Sequence, residues 1–477
     1  MKILAKKKYP IKLSKAATAV FGILLANTAY AASNTLAVGL ELVTEPNKDA
    51  EVVLLESSNA IYSSLQSIPA EDITPQIQAL LDVFSYVNSD INDDGVITAE
   101  TAKAITQISP KRNGTSTVVT RKSPSTVPVK GIGKRLSALR KSTQKFAFRP
   151  TYQNSFLRTS NKPNKRDPSF LSDGLVKYNN NTDPALEAGG LLDQRLSGFV
   201  TVNGIQAKQS DTSSEAGFSG NTNQLTAGAD YRMNNQTFAG AALSFVNGNI
   251  DMKQGGSLDN KSGTLLLYAT RSINQNWFAD ATINMGKRNF EMDRSINFTL
   301  NNVSVNTSAT SAPKGNFSGF SLGTGYELPS KNGHSLTLLA SFNYTKSNID
   351  AFQETGANAY TLAVDKQVIT SKIVDVGIEW RQAVSMRFGV ILPQVSLKWN
   401  KELQSKSDPV NAYFIADPNK TTLNFETGNQ DLNYMNLLIG ATFVLPKGLA
   451  GFAQFETQQY YDDYQQTMFS IGGRKEF

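Results

Sequence analysis

The chain has 477 residues, enough for two or three domains, and a formal net charge of +7. It has no cysteine and one histidine, His334, which excludes disulfide frameworks, thiolate or histidine-rich metal sites and a cysteine nucleophile. Lys2, Lys6, Lys7, Lys8, Lys12 and Lys15 sit at the very start, so the rest of the chain is close to neutral and makes no case for nucleic acid as a partner.

Residues 1–31 read as a secretory signal peptide. A basic stretch is followed by the short apolar run "AATAVFGILLA" and then by Ala29, Tyr30 and Ala31 in a small-x-small pattern. The run is shorter than the roughly 20 residues a membrane-spanning helix needs. Residues 32–109 form an acidic region with apolar residues at helical spacing, interrupted by Pro69 and Pro75, and too small to bury much core alone. Within it, "DINDDGVITAET" places Asp90, Asn92, Asp94 and Thr98 at calcium-hand spacing. Glu100 falls one position short of the bidentate ligand. Two readings stand: weak calcium binding, or a plain acidic turn before a helix.

Residues 110–192 reverse the charge. They are basic, rich in Pro, Ser, Thr and Asn, and read as a linker. Near 131–142, "GIGKRLSALRKS" predicts a short basic helix with Lys134, Arg135, Arg140 and Lys141 around an Ile132, Leu136 and Leu139 face.

From 193 to 477 the hydrophobic period is two. "NQLTAGADYRM", "HSLTLLASFNYTKS", "IVDVGIEWRQ" and "VILPQVSLKWNK" each alternate an apolar face with a polar one. The strands are long, and the polar face carries Asp, Glu and Arg. Tight turns at 233–236, 273–276, 330–333, 385–387 and 445–448 alternate with polar stretches at 208–222, 247–260, 293–315, 350–368 and 402–430, and a short one at 461–465. Short turns at one end and longer loops at the other are the pattern of an outer-membrane barrel. The fold class expected is therefore mainly β: a twelve-stranded antiparallel transmembrane β-barrel, with the basic helix and linker threading the lumen and a small helical N-terminal region. Asp230, Asp280, Glu327, Asp375, Glu379 and Glu456 fall on the expected luminal face, as partners for that helix. The alternative is that the basic tether faces the acidic N-terminal region or lipopolysaccharide phosphates. Trp277, Tyr326, Tyr344, Trp380 and Trp399 suit membrane interfaces or ordinary strand preference.

"LTAGADYRMNNQTFAGAALSFVNGNID", "NIDAFQETGANAYTLAVDKQ", "GVILPQVSLKWNKEL" and the closing "GLAGFAQFETQQYYDDYQQTMFSIGGRKEF" resemble, in order, segments of the autotransporter β-domain. The resemblance covers about 193–477 and implies a type V secretion translocator in the outer membrane of a Gram-negative cell. It also implies a C-terminal insertion signal at Phe469, Ile471 and Phe477, read by the barrel-insertion machinery. Lys475 departs from the pattern, and a lysine there would snorkel to the headgroups.

The function expected is export or display of the chain's own N-terminal region; the alternative is a non-secreting structural or pore-forming barrel that retains it. Expected partners are outer-membrane lipid, the insertion machinery and periplasmic chaperones. No cofactor is expected beyond the calcium reading. "GFSLG" at 319–323 matches G-x-S-x-G in form, but it lies within an alternating strand rather than at a strand-to-helix elbow, so no enzyme is expected.

Overall fold

The computed structural model describes residues 48–94, 97–122, 195–212, 216–329, 334–404, 409–425, 433–461 and 463–477. Val52–Phe477 forms one compact unit. Met1–Glu51 forms another, of which only the first turn of a helix is described.

Among the described residues, four α-helices precede the strands: α1 (Lys48–Gln66), α2 (Pro75–Asp94), α3 (Ala99–Ile108) and α4 (Thr115–Lys122). Helix α2 opens with proline in its first turn, where no N–H is needed, and Thr74 accepts from the Ile77 amide at 3.3 Å. Its buried Ile77, Leu80, Phe84 and Val87 follow the helical repeat. Thr98 caps α3 by accepting from the Thr101 amide at 3.3 Å.

The barrel consists of β1 (Leu196–Gln209), β2 (Phe218–Arg232), β3 (Thr237–Met252), β4 (Ser257–Ser272), β5 (Trp277–Leu300), β7 (Lys314–Leu328), β8 (His334–Ile349), β11 (Gln367–Gln382), β13 (Gly389–Gln404), β16 (Asn433–Leu445), β17 (Leu449–Gln459) and β18 (Tyr464–Glu476). Each pairs antiparallel with its neighbours, β11 with β13 among them. Strand β1 pairs with β18 from Ser197–Glu476 to Gln209–Tyr464, so the sheet closes on itself and no edge is left in the wall. The expected twelve-stranded antiparallel barrel is what forms. Both β1 and β18 have their outer chain ends at the end bearing the tight turns, here the turn end; the opposite end is the loop end.

Two short strands extend the wall: β6 (Val303–Ser311) on β5 and β12 (Val384–Met386) on β13. Above the loop end, β9 (Phe352–Gln353), β10 (Leu362–Val364), β14 (Val410–Phe414) and β15 (Leu423–Phe425) make a second sheet in the order β15-β14-β10-β9.

Toward the turn end the wall is inside-out relative to a soluble protein. On β3, Leu243 and Phe245 point outward at 52% and 59% exposure, while Ser244 between them points inward and is fully buried. Leu225, Leu265, Leu267, Ile283 and Met285 continue the outward apolar band. The inward groups satisfy one another across strands: Asn203 donates to Gln224 at 2.8 Å, Gln224 to Ser244 at 2.7 Å, and Thr226 and Ser244 share a bond of 2.8 Å. Outward apolar and inward polar surface suits lipid outside and a polar lumen. Trp277 and Tyr326, paired at 5.0 Å, and Trp380 lie toward the turn end; Tyr344 and Trp399 lie toward the loop end.

Toward the loop end the rule inverts with no change of register. The outward residues become Asn221, Asn223, Asn247, Asn249, Lys261, Asn289 and Glu291. The inward ones become Phe218, Ile250, Met252, Leu258, Phe290 and Met292, all buried. The strands thus continue past the apolar band as an ordinary water-facing wall. This corrects the expected loops. Residues 247–260 are mostly strand, closed by a tight turn between β3 and β4, and 293–315 are the β5–β6 hairpin. Residues 350–368 and 402–430 supply the second sheet. The predicted turn at 385–387 sits one to two residues later, because Val384–Met386 pairs with Gly389–Ile391.

Candidate functional site

Helix α4 lies inside the mouth of the barrel at the loop end. Its Val118 and Val119 are buried in one apolar cluster with Phe218, Ile250, Met252, Leu258 and Phe290, and with Tyr434, Tyr461 and Tyr464 from the closing strands beside β1. The tyrosines form a run of ring contacts, Tyr434–Tyr461 at 4.9 Å and Tyr461–Tyr464 at 5.6 Å. Polar groups fix the helix in place. Arg288 of β5 donates to Thr120 at 2.7 Å, Thr117 donates to Gln367 of β11, and Lys111 donates to the Thr212 carbonyl at 2.5 Å. The stretch read from sequence as the start of a flexible tether is therefore an ordered occupant of the mouth.

Beside it, a buried clasp joins the helices to the loop-end segments. Arg294 of β5 meets Glu354 in a bidentate pair, Nη2–Oε2 at 2.5 Å and Nε–Oε1 at 2.9 Å, with both side chains withdrawn from solvent. Asn113 donates to the same carboxylate at 2.8 Å, and the Leu362 amide donates to it at 3.0 Å. Arg112, fully buried, donates to the carbonyls of Gly255 (3.0 Å), Gln254 (3.3 Å) and Ser295, and to Gln107 (2.7 Å to its carbonyl). Burial, and then the neighbouring Arg294 cation, lower the Arg112 guanidinium to about 9, with Glu354 opposing, so it stays charged at neutral pH. The loop that presents Glu354 turns at Gly356, where φ is +100° and an added Cβ would stand 2.9 Å from the Ser308 carbonyl oxygen. Burial, with the Asp82 carboxylate of α2 adding to it, raises the Tyr360 phenol to about 12.

The clasp sits in one large core. Ile61, Leu65, Leu80, Phe84 and Ile105 from the helices pack with Ile296, Phe298, Leu362, Phe414 and Phe425 from the loop end. Phe84 meets Phe414 edge-on at 5.8 Å.

Residues 198–456, just over half of the chain, match the family described as Autotransporter beta-domain. The chain belongs to that family. It is similar to Outer membrane protein B of Rickettsia japonica, 28% identical over 174 residues that cover 35% of this chain and 10% of that protein. It is also similar to Esterase EstA of Pseudomonas aeruginosa, 26% identical over 189 residues that cover 39% of this chain and 29% of the esterase. The chain thus spans less than a third of these curated relatives. Among solved structures, the translocator domain of autotransporter NalP from Neisseria meningitidis is 13% identical, with 59% of this chain and 88% of that one covered and a TM-score of 0.49. The transport unit of autotransporter AIDA-I from Escherichia coli is 12% identical, with 65% and 96% covered and a TM-score of 0.38. The barrel is an outer-membrane autotransporter barrel, embedded in the outer membrane of a Gram-negative cell.

Within the autotransporter barrel the predicted luminal carboxylates do face inward. Asp230 accepts from Tyr268 at 2.5 Å and from Ser197 at 3.1 Å. Asp375 meets Lys398 of the adjacent strand at 3.2 Å and accepts from Asn343 at 3.0 Å and from Ser341. Glu379 pairs with Arg381 at 2.6 Å. Lys134, Arg135, Arg140 and Lys141 lie outside the described residues, as does the stretch 1–31 read from sequence as a signal peptide.

The calcium reading falls on Asp90, Asn92, Asp94, Thr98 and Glu100. The backbone of helix α2 runs through Asp94, so positions 90, 92 and 94 have helical conformation rather than that of an open loop. Asp90 serves the corner, accepting from the Thr98 amide at 2.8 Å and its hydroxyl at 3.0 Å. Burial works against the charge on Asp90, yet hydrogen bonds from Thr101 and Thr98 hold its carboxyl below its ordinary value of 3.8. Glu100 is exposed in the first turn of α3. "GFSLG" is mid-strand: Ser321 pairs with Asn343, nine residues from His334 along β8, about 30 Å at a strand's rise.

At the closing strand, Phe469, Ile471 and Phe477 point outward at 54%, 47% and 63% exposure. The Phe477 amide donates to the Leu196 carbonyl at 2.9 Å, and the ring edge lies over Gly198, 3.7 Å from where a Cβ would be. Lys475 does not need a headgroup: its ammonium donates to the Lys447 carbonyl in the adjacent tight turn at 2.8 Å.

Sequence reasoning missed the clasp. The signal was present in "EMDRSINFTL", where Arg294 interrupts the inward run of Met292, Ile296, Phe298 and Leu300. An arginine in the apolar register of a strand asks for a buried carboxylate.

Proposed function

We propose that this autotransporter carries its own N-terminal helical region to the cell surface and keeps it docked over the barrel mouth. The observation that supports this most is the core shared by helices α1–α3 with the loop-end segments, at the opposite end from the tight turns. In outer-membrane barrels tight turns face the periplasm and long connections face outward. The helices therefore belong outside, and residues 1–31 supply the export signal.

The mouth occupied by α4 favours a closed resting barrel, which is the retained-plug part of the alternative reading. The described chain places Lys122 at the mouth and Arg195 at the turn end, so residues 123–194 have to link the two. In this reading their basic helix faces the luminal carboxylates Asp230, Asp375 and Glu379, and no cofactor is required. Outer-membrane lipid receives the apolar band, and the insertion machinery reads the Phe469, Ile471 and Phe477 face. Deleting Phe477 lowers the inserted fraction of the barrel, while Lys475→Tyr leaves it unchanged.

An epitope tag at residue 40 with protease added to intact cells tests the surface reading. Loss of the tag without lysis is the expected result; full protection until the outer membrane is opened would favour retention.

A further inference from the structure

We propose that residues 52–122 and the loop-end segments 293–311, 352–364 and 410–425 are one folding unit interrupted in sequence by the barrel. The helical region then gains its structure only against the loops of its own barrel, and it is a permanent lid rather than a releasable cargo. The order of events in the cell rests on the surface-display reading; the shared core does not.

Neither half closes its core alone. Helices α1 and α2 have 19 and 20 residues, but the α3 and α4 that complete the helix side have only 10 and 8, lengths at which an isolated helix is marginal in water. Strands β9, β10, β14 and β15 have 2, 3, 5 and 3 residues, too short for a stable free-standing sheet. Yet Leu65, Leu80, Val87, Leu362 and Val410 are each wholly withdrawn from water. They reach that state because the helices cover the sheet and the sheet covers the helices.

The polar groups carry the same message independently. Arg112 and Asn113, between α3 and α4, find the carbonyls of 254, 255 and 295 and the Glu354 carboxylate on the loop side. On the outer rim, Asn419 donates to the Ser64 carbonyl of α1 at 3.2 Å and to its hydroxyl at 3.0 Å. A cation such as Arg112 is costly to bury without its acceptors, so a helical region folded apart from the loops would expose or orphan it. In the periplasm, before the loops have crossed, residues 52–122 lack the surface they need. After crossing, docking removes the unfolded form from the outside and makes the passage one-way.

Limited trypsin digestion of the purified full-length protein tests the coupling, with heat-modifiable gel mobility reporting that the barrel itself stays closed. Lys103 on α3 and Lys420 between β14 and β15 are exposed reporters, one on each side of the shared core. Phe414→Ala, on the loop side, should speed cleavage at Lys103 at least about tenfold. Leu80→Ala, on the helix side, should do the same at Lys420. Val303→Ala, at the exposed tip of the β5–β6 hairpin, should change neither. If Phe414→Ala prevents the barrel from closing, Phe414→Leu is read instead, with a smaller but two-sided effect. Cleavage that accelerates only on the mutated side would overturn the proposal, and it would leave surface display untouched. Two-sided acceleration in purified protein whose tag is protected on intact cells would sink surface display and keep the folding unit.

Discussion

Two levels of the same wall obey opposite rules. On β3, Leu243 and Phe245 face out and Ser244 faces in; a few residues further, Asn247, Asn249 and Asp251 face out while Ile250 and Met252 face in. The strand, its pairing and its register do not change between the two levels. What changes is the solvent on each side. At the lower level the outside is hydrocarbon and the inside holds hydrogen-bonded polar groups. At the upper level the outside is water and the inside is a helix. The hydrophobic effect places apolar side chains away from water in both cases. The inversion therefore marks where the bilayer stops and where a protein occupant begins.

The largest expected effect breaks the upper level alone. Glu354→Ala strands Arg294 and takes from Arg112 one of the two carboxylates that oppose its neighbour's charge, and stranding one partner of a buried pair costs about 3–5 kcal/mol. Hydrogen exchange should show α3 and α4 losing protection while the strands between Thr226 and Met285 keep theirs. Next comes a paired test of the lower level on one strand. Leu265→Arg puts a cation into the apolar band and should cost about 2–4 kcal/mol in a refolding titration in lipid vesicles. Asp259→Leu, on the same outward face of β4 but above the band, should stay within about 0.5 kcal/mol. Equal costs at the two sites would erase the distinction between levels. The smallest effect concerns the helix corner. Because the folded state holds the Asp90 carboxyl below 3.8, its stabilisation is present above that value and disappears as pH falls through the lower folded one. Acid unfolding of the lid should therefore steepen below about pH 3.8 in the wild type and flatten in Asp90→Asn.

The barrel was legible in sequence because its rule is simple where lipid imposes it. "NQLTAGADYRM" can only alternate one way if Leu225, Ala227, Ala229 and Tyr231 face hydrocarbon. The upper wall was not legible for the same physical reason. Its outward Asn247, Asn249 and Asp251 look like loop residues to an eye searching for an outward apolar face, though Ile250 and Met252 hold the strand from inside. In sequence the acidic N-terminal region stands apart from the loops and is short of core. The missing core lies some 200 to 350 residues further on, in Phe298, Leu362 and Phe414, and no local pattern links them. Calcium-hand spacing is a matter of residue type and interval, so it gives no sign that the helix continues to Asp94. Glu354 lies in a segment that resembles the family, but its partner Arg294 is 60 residues away on β5.

Surface display requires the helices to sit on the outer face of the membrane, over the mouth of the barrel. The chain has no cysteine, so single introduced thiols report cleanly on sidedness. Glu71→Cys lies in the exposed turn between α1 and α2, and Asn235→Cys lies in a tight turn at the other end of the barrel. Labelling intact cells with a membrane-impermeant maleimide should mark the thiol at 71 and spare the one at 235 until the outer membrane is opened. Labelling at 235 with protection at 71 would rule out surface display.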